Sequence, residues 1–250
     1  MAADSRAENE RRSYNAGAVM RASVALHRRF EHVFTCPNAL HGEQYWREEV
    51  ARAVPGRDVL EIGCFDGARL AEYARLAPRR LVGVDISDEQ IAKARARGLD
   101  ARVMDAQKLQ FPDGSFDTVV GGAVLHHLDF DTAVREIHRV LRPGGTALFS
   151  EPLRDNPAWK VLRLVTPRAR TADERPLSRG EIQSADRLFG RSRHCFVGLA
   201  STGIGALTSF LPVRADNPLS RAAHTIDMGL SSTSLRYWMR HVVLVWEKAG

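Results

Sequence analysis

From Asp58 onward the chain alternates continuous apolar runs with amphipathic ones. DVLEIG (58–63) is an apolar run closed by glycine, the mark of a buried strand, and ARLAEYARLA (68–77) repeats its apolar positions at helical spacing. RRLVGVD (79–85) predicts a second strand, and SDEQIAKARARG (87–98) a helix opened by a capping serine and closed by glycine. ARVMD (101–105) and FDTVVGG (116–122) follow as strands, DTAVREIHRVLR (131–142) as a helix and GTALFSEP (145–152) as a fifth strand. RSRHCFVGLAS (191–201) and HVVLVWEK (241–248) bring the count to seven, the last expected antiparallel. Alternation of this kind predicts an α/β fold with a doubly wound, mostly parallel sheet.

The flanks read differently. Apolar residues in AGAVMRASVALHRRF (16–30) recur near helical spacing, so residues 1–54 are expected to form a helical cap ahead of the core at 55–152. After Pro152 the alternation is lost, and 153–192 is expected to be a substrate-side insertion of short helices and loops. Residues 193–250 then complete the sheet with two strands and a largely helical return over 203–234.

Composition narrows the class. At 250 residues the chain suffices for one full-sized domain. No stretch has the apolar length of a membrane span, and MAADSRAENERRSYN lacks the core of a secretion signal, so a soluble cytoplasmic protein is expected, without a membrane partner. Cys36, Cys64 and Cys195 form no CxxC pair, which predicts reduced thiols and no metal site. The net charge of +6 permits a nucleic-acid partner, but all but four of the 36 basic residues are arginine, a bias that often reflects genome composition.

In an open parallel sheet ligands bind beyond the carboxyl ends of the strands. The turn after the first strand reads G-C-F-D-G-A rather than G-x-G-x-x-G. Phe65 replaces the glycine that would let pyrophosphate touch the backbone, and Asp66 and Glu61 add negative charge, so the turn suits a cationic ligand. Asp85 ends the second strand, where a carboxylate can accept from both ribose hydroxyls, and Asp105 and Ala106 follow the third, where an adenine amine is read. Ribose, adenine and a cationic group together specify S-adenosylmethionine better than NAD.

VLEIGCFDG, LVGVDIS, VMDAQKLQFPDGSFDTVV, AVLHHL and RVLRPGGTALFSEP stand in the order and spacing of the class I S-adenosylmethionine-dependent methyltransferases, over roughly residues 57–152. The chain most resembles the branch that includes ubiquinone and menaquinone C-methyltransferases. That resemblance implies a Rossmann-like core in which Glu61, Gly63, Cys64 and Gly67 form the methionine-binding turn. Asp85 would hold the ribose, Ile86 would pack on adenine, Asp105 and Ala106 would bind its edge, and Gly121 would offer a carbonyl to the ammonium. Phe65 departs from the family's glycine, a departure that a side chain pointing away from the ligand would tolerate and that bears on the shape of the methionine pocket.

Candidate catalytic residues lie at the mouth of that site. His126 or His127, after the fourth strand, is placed to take a proton from an attacking hydroxyl or amine, and Glu151, ending the fifth, to orient a nucleophile. His138 is read as helix surface. Tyr14, His41, Tyr45 and Trp46 lie where related enzymes fold over the cofactor, with Trp46 better read as an anchor. Arg154, Lys160, Arg163, Arg168 and Arg170 are candidates for an anionic substrate or a solvated helix face, and Trp159, Phe196, Phe210, Tyr237 and Trp238 are compatible with a largely apolar pocket. The expected activity is methyl transfer to a small molecule, O-methylation of a secondary metabolite first, C- or N-methylation next. An RNA methyltransferase and a non-methylating protein on the same fold are the alternatives, and a monomer or homodimer is expected.

Overall fold

The computed structural model describes residues 18–158, 160–161 and 175–250. Tyr14, Trp159, Arg163, Arg168 and Arg170 lie outside the described residues. Three helices lead the chain: α1 (Ala18–Arg29), α2 (Glu31–Thr35) and α3 (Pro37–Ala53). The core then runs β1 (Asp58–Ile62), α4 (Ala68–Ala74), β2 (Arg80–Asp85), α5 (Asp88–Ala96), β3 (Ala101–Val103), β4 (Phe116–Gly122), α6 (Phe130–Val140) and β5 (Leu141–Pro152). It closes with α7 (Arg179–Phe189), β6 (Gly190–Val197), α8 (Ala200–Thr208), α9 (Pro218–Leu230) and β7 (His241–Lys248).

The sheet order is β3-β2-β1-β4-β5-β7-β6. β1 to β5 pair in parallel, and β7 inserts antiparallel between β5 and β6. The seven strands and the antiparallel last one are those predicted. Several boundaries differ, two of them with a local cause. The helix expected to reach Arg142 ends at Val140 because Pro143 excludes helical backbone at the residue before it, and β5 begins at Leu141. The helical return divides into α8 and α9, the second opened by Pro218 at its first turn and capped by Asn217.

Every residue of β1 is buried, as a central strand covered on both faces requires. On one face Leu60, Val119, Phe149, Val242, Leu244 and Trp246 pack under α6 and α7, with Phe189 stacked on Trp246 at 5.6 Å. On the other, Val59, Val120, Leu148, Val243 and Val245 pack with Val50 of α3 and Tyr73 of α4. Side chains alternate faces along a strand, so this parity decides which strand-end residues meet the N-terminal helices. Glu61, Gly122, Ser150 and His241 fall on the α3–α4 face, whereas Gly121 and Glu151 fall on the other.

At the amino edge of the sheet, Arg79 and Arg142 each bridge Asp58 and Asp117 at 2.7–2.9 Å. Arg193 pairs with Glu49 at 2.7 Å and with Glu247. These arginines are spent on the fold. Among the described residues no helix is long and apolar enough to cross a membrane.

Candidate active site

A cavity of about 1320 Å³ opens between the carboxyl edge of the sheet and the N-terminal helices. Pockets for one small ligand usually run to about 1,000 Å³, so this one exceeds the space that a single ligand needs.

The β1 turn forms one wall. Gly63 adopts φ +70, and a side chain there would reach Val124 Cγ2 at 2.8 Å. Phe65 takes a left-handed φ of 49, the conformation glycine adopts freely. Its N–H donates to Asp85 Oδ2 at 3.0 Å while Ser87 N–H donates to Asp85 Oδ1 at 2.9 Å, so β2 holds the β1 turn in place. Phe65 lines the cavity. Asp66 also faces it, but its carboxylate caps Ala68 and pairs with Arg97 at 2.8 Å.

Glu61 is 1% exposed, and its Oε2 has no hydrogen-bond partner. Burial raises its pKa from 4.5 to about 8, with Arg69 opposing and Asp85 adding to the rise. Burial likewise raises Asp85, against the amide donors that hold its charge. Ile86, Met104, Asp105 and Ala106 continue the wall, and Asp105 Oδ1 accepts from Gln107 N–H at 2.8 Å. Arg69 was missed by the sequence reading. Its guanidinium lies against Gly122, where a Cβ would be 2.0 Å from Nη1, and 6.0 Å from the centre of the Trp46 ring.

The expected site residues divide. Glu61, Gly63, Cys64, Asp85, Ile86, Asp105, Ala106 and His127 line the cavity. Gly67, Gly121, His126 and Glu151 do not. Gly67 faces Ala94 and Leu99 at 2.9 and 2.7 Å from its would-be Cβ, and Gly121 faces Phe149; Gly122, one residue on, lines the cavity instead. Cys64 is buried against Ile91, Ala94 and Ala101, and burial pushes its thiol up, as a packing residue. Glu151 is fully buried and its Oε1 accepts from Val124 and Leu125 N–H at 2.9 Å, while Oε2 meets His126 Nδ1 at 2.6 Å. The Glu151–His126 pair thus fastens the loop after β4 from below. That loop starts at Ala123, itself at φ 57.

Beyond the loop the cavity continues past Ser150, Val197, Arg240, His241 and Val243 to Phe34 and Leu40. Ser150 Oγ lies 2.8 Å from His241 Nε2. Burial, with Arg240 and His126 nearby, pushes His241 down to about 3, so its ring is neutral. Trp46 both lines the cavity and packs on the α3–sheet core. None of Phe196, Phe210, Tyr237 and Trp238 lines it. Phe196 and Tyr237 are core residues in edge contact at 5.4 Å, while Phe210 and Trp238 face solvent. Arg154 and Lys160 pair with Glu181 and Asp155, and His138 is half-buried with its ring edge-on to Phe189.

Residues 60–149 match the family model described as a methyltransferase domain. The chain is 43% identical over 122 residues to a Mycolicibacterium smegmatis protein named "Probable S-adenosylmethionine-dependent methyltransferase", covering 45% of this chain and 47% of that one. It is 37% identical over 126 residues to the fatty-acid O-methyltransferase of the same organism, covering 47% and 46%. The alignments thus span about half the length of these curated relatives. The geranyl diphosphate C-methyltransferase of Streptomyces coelicolor A3(2), solved with S-adenosyl-L-homocysteine, shares the fold at a TM-score of 0.56, with 15% identity over 82% of this chain and 78% of that one. The core belongs to the class I S-adenosylmethionine-dependent methyltransferases. The cofactor of that class is S-adenosylmethionine, and the residues present fit it. A buried, unpartnered carboxylate oxygen on Glu61 calls for a cation or donor, Arg69 beside it for an anion, and together they match a zwitterionic amino-acid end. Asp85 and Asp105 supply acceptors on either side of the apolar Ile86 and Met104.

Proposed function

We propose that the protein catalyses methyl transfer to oxygen on a small, largely apolar molecule in the cytoplasm. The observation that carries this reading is one continuous cavity running from the donor-binding carboxylates to a second, mixed apolar and polar end at the tips of β5, β6 and β7. S-adenosylmethionine supplies a methyl already activated on a sulfonium. Glu61 and Arg69 bind its amino-acid end, Asp85 and Asp105 its nucleoside end, and the loop fixed by Glu151 and His126 orients donor and acceptor in line, where proximity accounts for most of the rate. His126 and Glu151 are positioning residues in this scheme, since each is the other's partner inside the fold.

The O-methyltransferase relative supports oxygen as the acceptor atom. Three buried, unbridged cysteines suit a reducing compartment. An RNA substrate is disfavoured because Arg79, Arg139, Arg142 and Arg193 are held in internal ion pairs rather than gathered on a basic face. Calorimetric titration with S-adenosylmethionine and, separately, NAD tests the donor assignment. Binding of the first alone, weakened by Asp85→Ala, is expected; binding of neither would remove the basis of the proposal.

A further inference from the structure

A second group in the cavity shares the condition of Glu61. Tyr73 sits on α4 four residues after Arg69, a spacing that puts both side chains on one helix face. Its ring packs with Val50 of α3 and with Val59 and Val120 of the sheet, and Val59 precedes Glu61 by two residues on the same side of β1. Tyr73 is 3% exposed and lines the cavity, yet its hydroxyl has no hydrogen-bond partner. Among the described residues, the buried side-chain oxygens in that condition belong to Glu61, Tyr73 and Gln90, and of these Glu61 and Tyr73 line the cavity. A phenyl ring alone would fill the same space, and a buried hydroxyl without a partner weakens a fold. Packing therefore explains the ring and leaves the oxygen unexplained. Burial, with Glu61 adding to it and Arg69 opposing, holds the hydroxyl above the usual phenol range, so it is a neutral group that both donates and accepts.

We infer that Tyr73 binds the methyl donor, its hydroxyl joining Glu61 around the ammonium of the amino-acid end. The inference rests on the methyl-transfer reading and adds a residue to its cofactor site. An ammonium carries three N–H groups and no acceptor. Glu61 Oε2 takes one of them, and the Tyr73 oxygen supplies a second acceptor where the wall offers no other unpartnered side-chain oxygen among the described residues. The ligand's own carboxylate is left to Arg69, on the same face of α4 and against Gly122. The free protein thus holds two unsatisfied oxygens on one wall, and a bound ammonium removes both penalties together. A hydroxyl of this kind has a recognisable signature: deleting it harms ligand binding and spares the free fold.

The test uses Tyr73→Phe, which keeps the ring and removes the oxygen, with calorimetry on two ligands. S-adenosylhomocysteine carries the amino-acid end, and 5′-methylthioadenosine lacks it. The variant is expected to bind S-adenosylhomocysteine about tenfold more weakly than the wild type and methylthioadenosine equally well. Equal affinity for S-adenosylhomocysteine, or the same loss on both ligands, overturns the inference. Thermal unfolding without ligand is expected to give Tyr73→Phe a Tm equal to or above that of the wild type, because no hydrogen bond is lost; a lower Tm assigns the hydroxyl to the fold and overturns the inference. Failure of the underlying reading looks different: the wild-type protein then binds neither ligand.

Discussion

Glu61→Gln isolates a group whose ionisation the fold resists. The carboxyl is fully buried with one oxygen unpartnered, and its pKa rises from 4.5 to about 8. Below pH 4.5 it is protonated in both folded and unfolded chains and contributes no pH dependence. Between 4.5 and about 8 the folded chain keeps a proton the unfolded chain has lost, so stability falls as pH rises, and above about 8 the loss is complete. At about 1.4 kcal/mol per pKa unit, the loss reaches at most about 5 kcal/mol. Glutamine cannot ionise. Chemical denaturation at about pH 5 and about pH 9 is therefore expected to show the variant gaining several kcal/mol on the wild type between the two. Donor binding should reverse the ordering, because an ammonium beside Glu61 favours the charged form; calorimetry in buffers of different ionisation enthalpy should show proton release near neutrality that the variant lacks. A separation between the two proteins that is the same at both pH values would refute the account of Glu61.

Asp227 is fully buried in α9 and accepts from the N–H groups of Leu199, Ala200 and Ser201 at the start of α8. Asp227→Ala strands those donors and is expected to cost about 3–5 kcal/mol in urea denaturation, with Asp227→Asn costing less. Glu151→Ala frees the amides of Val124 and Leu125 and the His126 ring; it should weaken donor binding about tenfold by calorimetry and lower stability by about 2–4 kcal/mol. Gly63→Ala combines a left-handed φ with a 2.8 Å approach to Val124, and is expected to lose about 1–3 kcal/mol of stability together with donor affinity.

The residues expected to bind the donor fall largely on one cavity wall because chain order and spatial order coincide there. β1, β2 and β3 are neighbours joined through helices, so Glu61, Asp85 and Asp105, each near a strand's carboxyl end, meet on one cavity wall. Where an expected residue does not line the cavity, the face of the strand decides. Gly121 and Gly122 are adjacent in sequence, and only the register with Phe149 and Ser150 tells which one turns toward α3 and α4. The same parity turns Glu151 beneath the β4 loop while Ser150, one residue earlier, lines the cavity.

The far end of the cavity was illegible for a different reason, although the antiparallel last strand was foreseen. A search for ligands at carboxyl ends of strands passes over Arg240 and His241, which precede β7 in sequence. In a sheet whose last strand inserts antiparallel between two parallel ones, that strand's amino end joins the functional edge: His241 pairs with both Pro152 of β5 and Val197 of β6. The rule for reading such chains is therefore to examine the residues before the antiparallel strand together with those after the parallel ones. Applied here, it brings Ser150, Val197, Arg240 and His241 together from segments up to 91 residues apart. The aromatics chosen instead, Phe196 and Tyr237, flank those positions by one and three residues, and the alternation of faces along β6 and the turn before β7 consign them to the opposite core.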